Sequence, residues 1–290
     1  MNTRSILSGF FYCIALFGST VVFSQNEFDK YGPFGSEVHK DLKQALQLGR
    51  GVYKMDLSYQ QIDPKIFEKI TSLTDLQALK LSGNGITEFP NGFDQLFNLT
   101  YLASYNNKLN RFPPRLQAYR NLQCLDLQHT NIDSIPAAIA FLGRLQTLKF
   151  GNTDDTLKLP TTLPYLKYLR DLAFENCVLD SFPKELFKLS KVSYLYLSNT
   201  NTSYLTKHFE RMPDLEVLVV ENNPIKKLPF EIYKAQKLRI ISLRGTQVTR
   251  VPDSISQLES LTILDLRGTK LPVEEIEKLR ALLPGCEVKF

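Results

Sequence analysis

The sequence carries few of the groups a catalyst needs. Its 290 residues include only three histidines, His39, His129 and His208, and four cysteines. The histidines fall in separate segments at spacings that gather no metal ligands, and the HExxH, CxxC and glycine-rich phosphate-loop patterns are absent. Metalloprotease, dithiol and nucleotide-phosphate chemistry therefore have no motif to stand on. Cys124, Asp126 and His129 do bring nucleophile, acid and base types together. They sit within one short segment, however, and read as solvated surface. Charge of one sign is lacking too: Arg4 is the only charged residue before position 25, which leaves 34 basic and 30 acidic residues, a net +4, and no basic run exceeds two residues. That balance excludes a nucleic-acid interface.

A disulfide framework is not supported either. Beyond position 24 the cysteines are Cys124, Cys177 and Cys286, an odd number with no paired spacing. The N-terminus has the three-part pattern of an export signal, with MNTR positively charged and ILSGFFYCIALFGSTVVF apolar over 18 residues. The small Ser24 precedes Gln25 at the expected cut. The reading is a signal peptide over 1–24 and a mature chain from Gln25, secreted or held at the cell surface, with no membrane span after cleavage. The alternative is an uncleaved anchor, since 18 residues lie at the lower limit for crossing a bilayer.

What the chain has in abundance is leucine at spacings of three and then two. LQCLDLQHT from Leu122 returns as LQALKLSGN from Leu76, LTYLASYNN from Leu99, LQTLKFGNT from Leu145 and LRDLAFENC from Leu169. VSYLYLSNT, LEVLVVENN, LRIISLRGT and LTILDLRGT follow from Val192, Leu215, Leu238 and Leu261, and VYKMDLSYQ from Val52 is a degenerate first copy. The ten starts differ by 23 seven times and by 24 twice, so the chain is an internal repeat of solenoid period. Each repeat has a second half, such as IDSIPAAIAFLGR or IKKLPFEIYKAQK.

Within a repeat, Leu125, Asp126 and Leu127 alternate with period two, which predicts a short strand with leucines inward. Successive strands then pair in parallel, and the proline-led segment is the return path that carries Ile139 and Leu142 back over the core. Position nine is Asn84, Asn107 and Asn223 but Thr130, Thr153, Thr200, Thr246 and Thr269, with Gln60 and Cys177 as outliers. A hydroxyl offers fewer hydrogen bonds than an amide. A mixed ladder with a weak link at Cys177 is expected. The repeat from Val192 lacks the proline, reading NTSYLTKHFERMPD, and is taken as a drifted copy.

From Val52 to the C-terminus the chain resembles the leucine-rich repeat family, LxxLxLxxNxLxxLPxxhxxLxx with h apolar. The resemblance implies an α/β class fold: a leucine-rich-repeat solenoid, a curved right-handed superhelix with a parallel concave β-sheet. The expected organisation is a linker and N-terminal capping helix over 25–51, ten repeats over 52–271 and a C-terminal cap over 272–290. SEVHKDLKQALQLGRG offers Ser36 as N-cap, an apolar stripe at Val38, Leu42, Ala45 and Leu46, and glycine stops. At the other end a helix with Ile276, Leu279, Leu282 and Leu283 inward precedes a last strand near Cys286 to Phe290. Such ends shield an open sheet edge. The cap-plus-strand ending resembles bacterial secreted or surface repeat proteins.

With leucines inward, positions three, five and seven form the outer face, concave in this family. On neighbouring strands, Tyr194, Tyr196, Val217, Val219 and Ile240 should merge into one apolar and aromatic patch, with Glu175, Glu221, Arg244 and Arg267 as its charged rim. Tyr101 and Tyr105 are the next such place. The family implies protein or peptide recognition without catalysis or cofactor, by a monomer. Two alternatives stand beside this exported binding module. One is an intracellular scaffold of the Ras-associated kind, whose 23-residue repeats are similar but which the N-terminal apolar run opposes. The other is an effector of a larger enzyme system, for which only the cap follows Leu271.

Overall fold

The computed structural model describes residues 25–179 and 182–290. The expected signal, 1–24, lies outside the described residues. Twelve strands form one parallel sheet in sequence order. They are β1 (Val38–His39), β2 (Lys54–Asp56), β3 (Ala78–Lys80), β4 (Tyr101–Ala103), β5 (Cys124–Gln128) and β6 (Thr147–Thr156), followed by β7 (Asp171–Val178), β8 (Tyr194–Tyr196), β9 (Val217–Val219), β10 (Ile240–Ser242), β11 (Ile263–Asp265) and β12 (Glu287–Lys289). Strands β2 to β11 come from the ten repeats, and residues pair with their equivalents in the next repeat, as Leu102 with Leu125 and Leu125 with Leu148, apart from a register shift at the end of the β6–β7 ladder. The inward apolar residues of the motif fill one continuous core, with Leu125, Leu148, Leu172, Leu195, Leu218, Ile241 and Leu264 all at 0% exposure.

The return segments are 3-10 turns rather than α-helices in most repeats, for example Ala137–Phe141, Phe230–Lys234 and Asp253–Gln257. An α-helix is about 10 Å across, twice the roughly 4.8 Å between strands. Thin 3-10 turns let the return side keep pace with the sheet. Pro136, Pro229 and Pro252 stand immediately before these turns at φ −70°, −67° and −68°, where a missing N–H costs nothing. In the repeat without that proline the turn is Phe209–Arg211, and Leu205, Phe209 and Met212 are buried in the common core. His208 meets Glu210 at 3.2 Å on the surface. The irregular repeat therefore packs into the common core without the proline.

The ladder at position nine follows the chemistry of its side chains. Asn223 donates to Leu197 O of the preceding repeat and to Val220 O of its own, and accepts from the backbone N–H groups of Thr200 and Thr202. Asn107 does the same between Leu81 O and Ser104 O, accepting from Asn84 and Ile86. The threonine hydroxyls bond mainly within their own repeat, Thr130 to Leu127 O, Thr246 to Leu243 O and Thr269 to Leu266 O, while Thr200 also reaches Asn223 Oδ1 of the next repeat at 3.2 Å. Cys177 is buried, and its thiol is pushed up to about 12 by burial and then by the Glu175 charge, so it stays a protonated, small apolar filler.

Position eight carries a signal that the leucine pattern hides. Asn106, Asn176, Asn199, Asn222, Gly83, Gly245 and Gly268 all have φ between 52° and 69° there. Asparagine and glycine tolerate the left-handed conformation, which explains their recurrence. Tyr59 and His129 hold the same conformation at φ 59° and 53° against their preference.

The N-terminal helix is shorter than expected. It is α1 (Leu42–Leu48), with Asp41 as N-cap accepting from Gln44 N–H at 3.1 Å. Ser36 instead donates its hydroxyl to Pro33 O at 2.7 Å, and Val38 is in β1, paired with Lys54. Asp41 wins because it stands directly before the Leu42, Ala45, Leu46 stripe. Val38 is more favourably used extending the sheet by a strand. Helix α2 (Pro64–Phe67) follows β2, and α3 (Val273–Leu282) precedes β12, with Leu279 and Leu283 buried and Ile276 and Leu282 half-buried.

Candidate functional site: the outer face of the sheet

Strand register places the outer-face residues in three rows. Position three runs Asp171, Tyr194, Val217, Ile240, Ile263, and position five runs Ala173, Tyr196, Val219, Ser242, Asp265. Position seven continues through the backbone bonds of Asn176 N–H to Ser198 O, Asn199 to Glu221 O, Asn222 to Arg244 O and Gly245 to Arg267 O. Glu175, Ser198, Glu221, Arg244 and Arg267 therefore share one row.

The structure brings Tyr194, Tyr196, Val217, Val219 and Ile240 together, with Ala173 added, in an apolar cluster separate from the main core. The members differ in exposure. Tyr196 and Val217 are only 9% and 7% exposed, while Tyr194, Val219 and Ile240 are half-buried around them. Neighbouring strands lie only about 4.8 Å apart, so side chains in adjacent rows screen one another. Tyr196 and Val217 form the floor of the cluster, and Tyr194, Val219 and Ile240 are its more exposed members.

The charged row is largely satisfied from within. Arg244 Nε lies 3.4 Å from Glu221 Oε2, and Ser242 donates to Glu221 Oε1 at 2.6 Å. Arg267 forks onto Asp265 of its own repeat, with Nη2 2.5 Å from Oδ2, which holds its guanidinium even more firmly protonated than usual. Glu175 accepts from Gln128 Nε2 at 2.8 Å. Burial pushes the Glu175 carboxyl above the usual range and Glu221 adds to this, while Gln128, Lys149 and His129 pull the other way. The row thus presents a pre-arranged polar border.

The other candidate residues lie elsewhere. Tyr105 and Tyr59 bring their hydroxyls within 3.4 Å, and Tyr101 is covered by the chain's own Phe28 and Tyr31. Sequence reasoning missed that cover; the signal was two aromatics three residues apart in a short segment ahead of the first helix. Cys124, Asp126 and His129 are not all solvated as expected: Cys124 and Asp126 are buried beside neighbouring strands, and only His129 stands exposed in its left-handed turn. Among the described residues, no group of three or more His, Cys, Asp or Glu side chains is placed to hold a metal ion, and Cys124, Cys177 and Cys286 carry thiols, not disulfides. No described helix is long and apolar enough to cross a membrane.

An open parallel sheet, sealed on one side by its return turns and carrying a graded surface on the other, defines a solenoid interaction scaffold. The family model for a leucine-rich repeat region matches residues 91–202 and 166–282, together more than half of the chain. The chain belongs to the leucine-rich repeat family. It is 26% identical to osteomodulin of Bos taurus over 202 residues, 67% of this chain and 47% of that one. Among solved structures it is similar to an internalin of Listeria monocytogenes, at 18% identity and TM-score 0.66 over 83% of this chain and 72% of that one. It is also similar to the Arabidopsis receptor kinase HAESA, solved in complex with the peptide hormone IDA, at 24% identity and TM-score 0.63 over 76% of this chain and 39% of that one. The chain spans about half the length, or less, of the curated relatives first matched.

Proposed function

We propose that the chain is an exported, non-catalytic module that binds a protein or peptide partner on the outer face of the sheet over β7 to β10. The observation that carries this reading is the second apolar cluster, built on the sheet surface away from the core and bordered by a row of hydrogen-bonded carboxylates and guanidiniums. An apolar centre with a polar border is the anatomy of a recognition surface. The bland account, that strands simply favour tyrosine and β-branched residues, predicts no contact there. The two are separated by contact mapping. A photo-crosslinking residue in place of Val219 should label the partner in native extracts, and the same residue in place of Phe141, exposed on the return side, should not. With the partner in hand, Tyr194→Ala with Val219→Ser should leave folding intact and weaken capture at least about tenfold, equivalent to 1.4 kcal/mol. Labelling from Phe141 alone, or undiminished capture by the double variant, would move the site elsewhere.

Export rests on the charged start, the apolar run and Ser24. Native protein is expected to begin at Gln25. N-terminal sequencing that returned Met1 or Asn2 would sink this part of the proposal.

A further inference from the structure

The outer face of β2 to β4 is not bare. A 3-10 turn, Gln25–Lys30, and the residues after it lie across it. Phe28 is 4% exposed, with its ring edge-on to Tyr101 at 5.3 Å between centroids and the Lys80 ammonium 4.3 Å over its face. Lys54, itself only 3% exposed, donates its Nζ proton to the Asp29 carbonyl at 3.0 Å. Tyr31 packs on Tyr101 at 4.8 Å. One surface thus reads an aromatic residue, the carbonyl of the next residue and a second aromatic three positions on.

The attachment of this arm is thin. Gly32 and Gly35 join it to β1 at φ 78° and 72°, nothing approaches the open side of Gly35, and Phe34 between them is fully exposed. A tethered segment faces its site at an effective concentration on the order of millimolar. Weak contacts therefore suffice to keep it docked, and a partner replaces it only by binding the surface more tightly than the arm does.

We propose that the outer face of β2 to β4 is a second docking surface, for a segment of a partner protein that forms a single 3-10 turn and carries Phe and Tyr three residues apart, and that the chain's own residues 28–31 occupy it in cis. The pocket floor is Tyr101, Lys80 and Lys54. Lysine over an aromatic face and a lysine-held carbonyl favour an aromatic peptide over an aliphatic one. This surface is separate from the cluster on β7 to β10 and does not depend on it.

The test uses the full chain and a labelled peptide of its own arm, QNEFDKYGPFG, as probe, read by fluorescence anisotropy. The variant Phe28→Ala with Tyr31→Ala loses the arm's anchors but keeps the floor. It should bind the peptide at least tenfold more tightly than the wild-type chain does. Adding Tyr101→Ala should abolish binding, whereas adding Val219→Ser should not. Trypsin should also cut the Lys30–Tyr31 bond faster in a Tyr101→Ala chain, whose arm is released while its fold is unaltered. Equal peptide affinity for wild type and variant, no binding to the variant, or binding that survives Tyr101→Ala would overturn the proposal. So would a wild-type dimer in which the arm crosses to a second copy.

Discussion

Ending the chain after Thr269 is expected to lower its thermal stability and make it self-associate. The removed residues include Leu279 and Leu283, 1% and 7% exposed, which pack onto the last repeat with the half-buried Leu282, Cys286 and Val288. Each fully buried leucine is worth about 1.5–3 kcal/mol. Two of them amount to a large part of the roughly 5–15 kcal/mol that holds a domain folded. Strand β12 also leaves, and with it the bonds from Leu266 N–H to Lys289 O at 2.7 Å and from Glu287 N–H to Thr262 O at 2.8 Å. Strand β11 would then present a free edge, the template on which other chains add. A melting curve and a sedimentation profile of the shortened chain check this. If it melts where the full chain does and stays the same size, the terminal helix and strand are not a cap.

The second large effect is expected at Gly151, in the middle of the sheet. Its φ is 145°, and a Cβ there would stand 1.8 Å from the Glu175 carbonyl oxygen and 2.9 Å from the Glu175 nitrogen. Both are backbone atoms of β7, so no side chain can swing aside. Gly151 pairs with Gln128 on one side and Glu175 on the other, within the longest strands of the sheet. Gly151→Ala combines backbone strain with overpacking and should cost about 2–5 kcal/mol in urea unfolding. It should also loosen the Gln128 to Glu175 hydrogen bond beside it. Gly143→Ala is the matched control. A methyl group added at Gly143 would meet nothing within 4 Å, and the backbone there is ordinary, so alanine should be neutral or slightly stabilising. Equal unfolding midpoints for the two variants would show that β6 and β7 do not approach this closely.

Much of this protein was legible in one dimension because its fold is nearly one-dimensional. A residue's neighbours in the sheet are the residues 23 or 24 positions away, so the repeat phase alone places Leu125 under Leu148 and Tyr196 beside Val219. The rows Tyr194, Val217, Ile240 and Glu221, Arg244, Arg267 follow from the same phase. So do the asparagines that bridge repeats, because an amide both donates and accepts, whereas the threonine hydroxyls bond mainly within their own turn. Residue identity at position eight also encodes backbone geometry, since Asn and Gly recur where φ is positive.

What only the tertiary structure decided are features without a period. Phase names which side chains face outward, but not how far they screen one another, and so Tyr196 and Val217 became a floor instead of exposed anchors. The start of α1 was a contest between Ser36 and Asp41, settled by β1 claiming Val38 as an extra strand. The close backbone approach of β6 and β7 at Gly151 is one that no pattern of leucines reveals. The arm on Tyr101 is the clearest case. Phe28 and Tyr31 lie outside every repeat and have no equivalent to be compared with, so their place is set by a contact across about seventy residues of chain, and such contacts exist only once the sheet has formed.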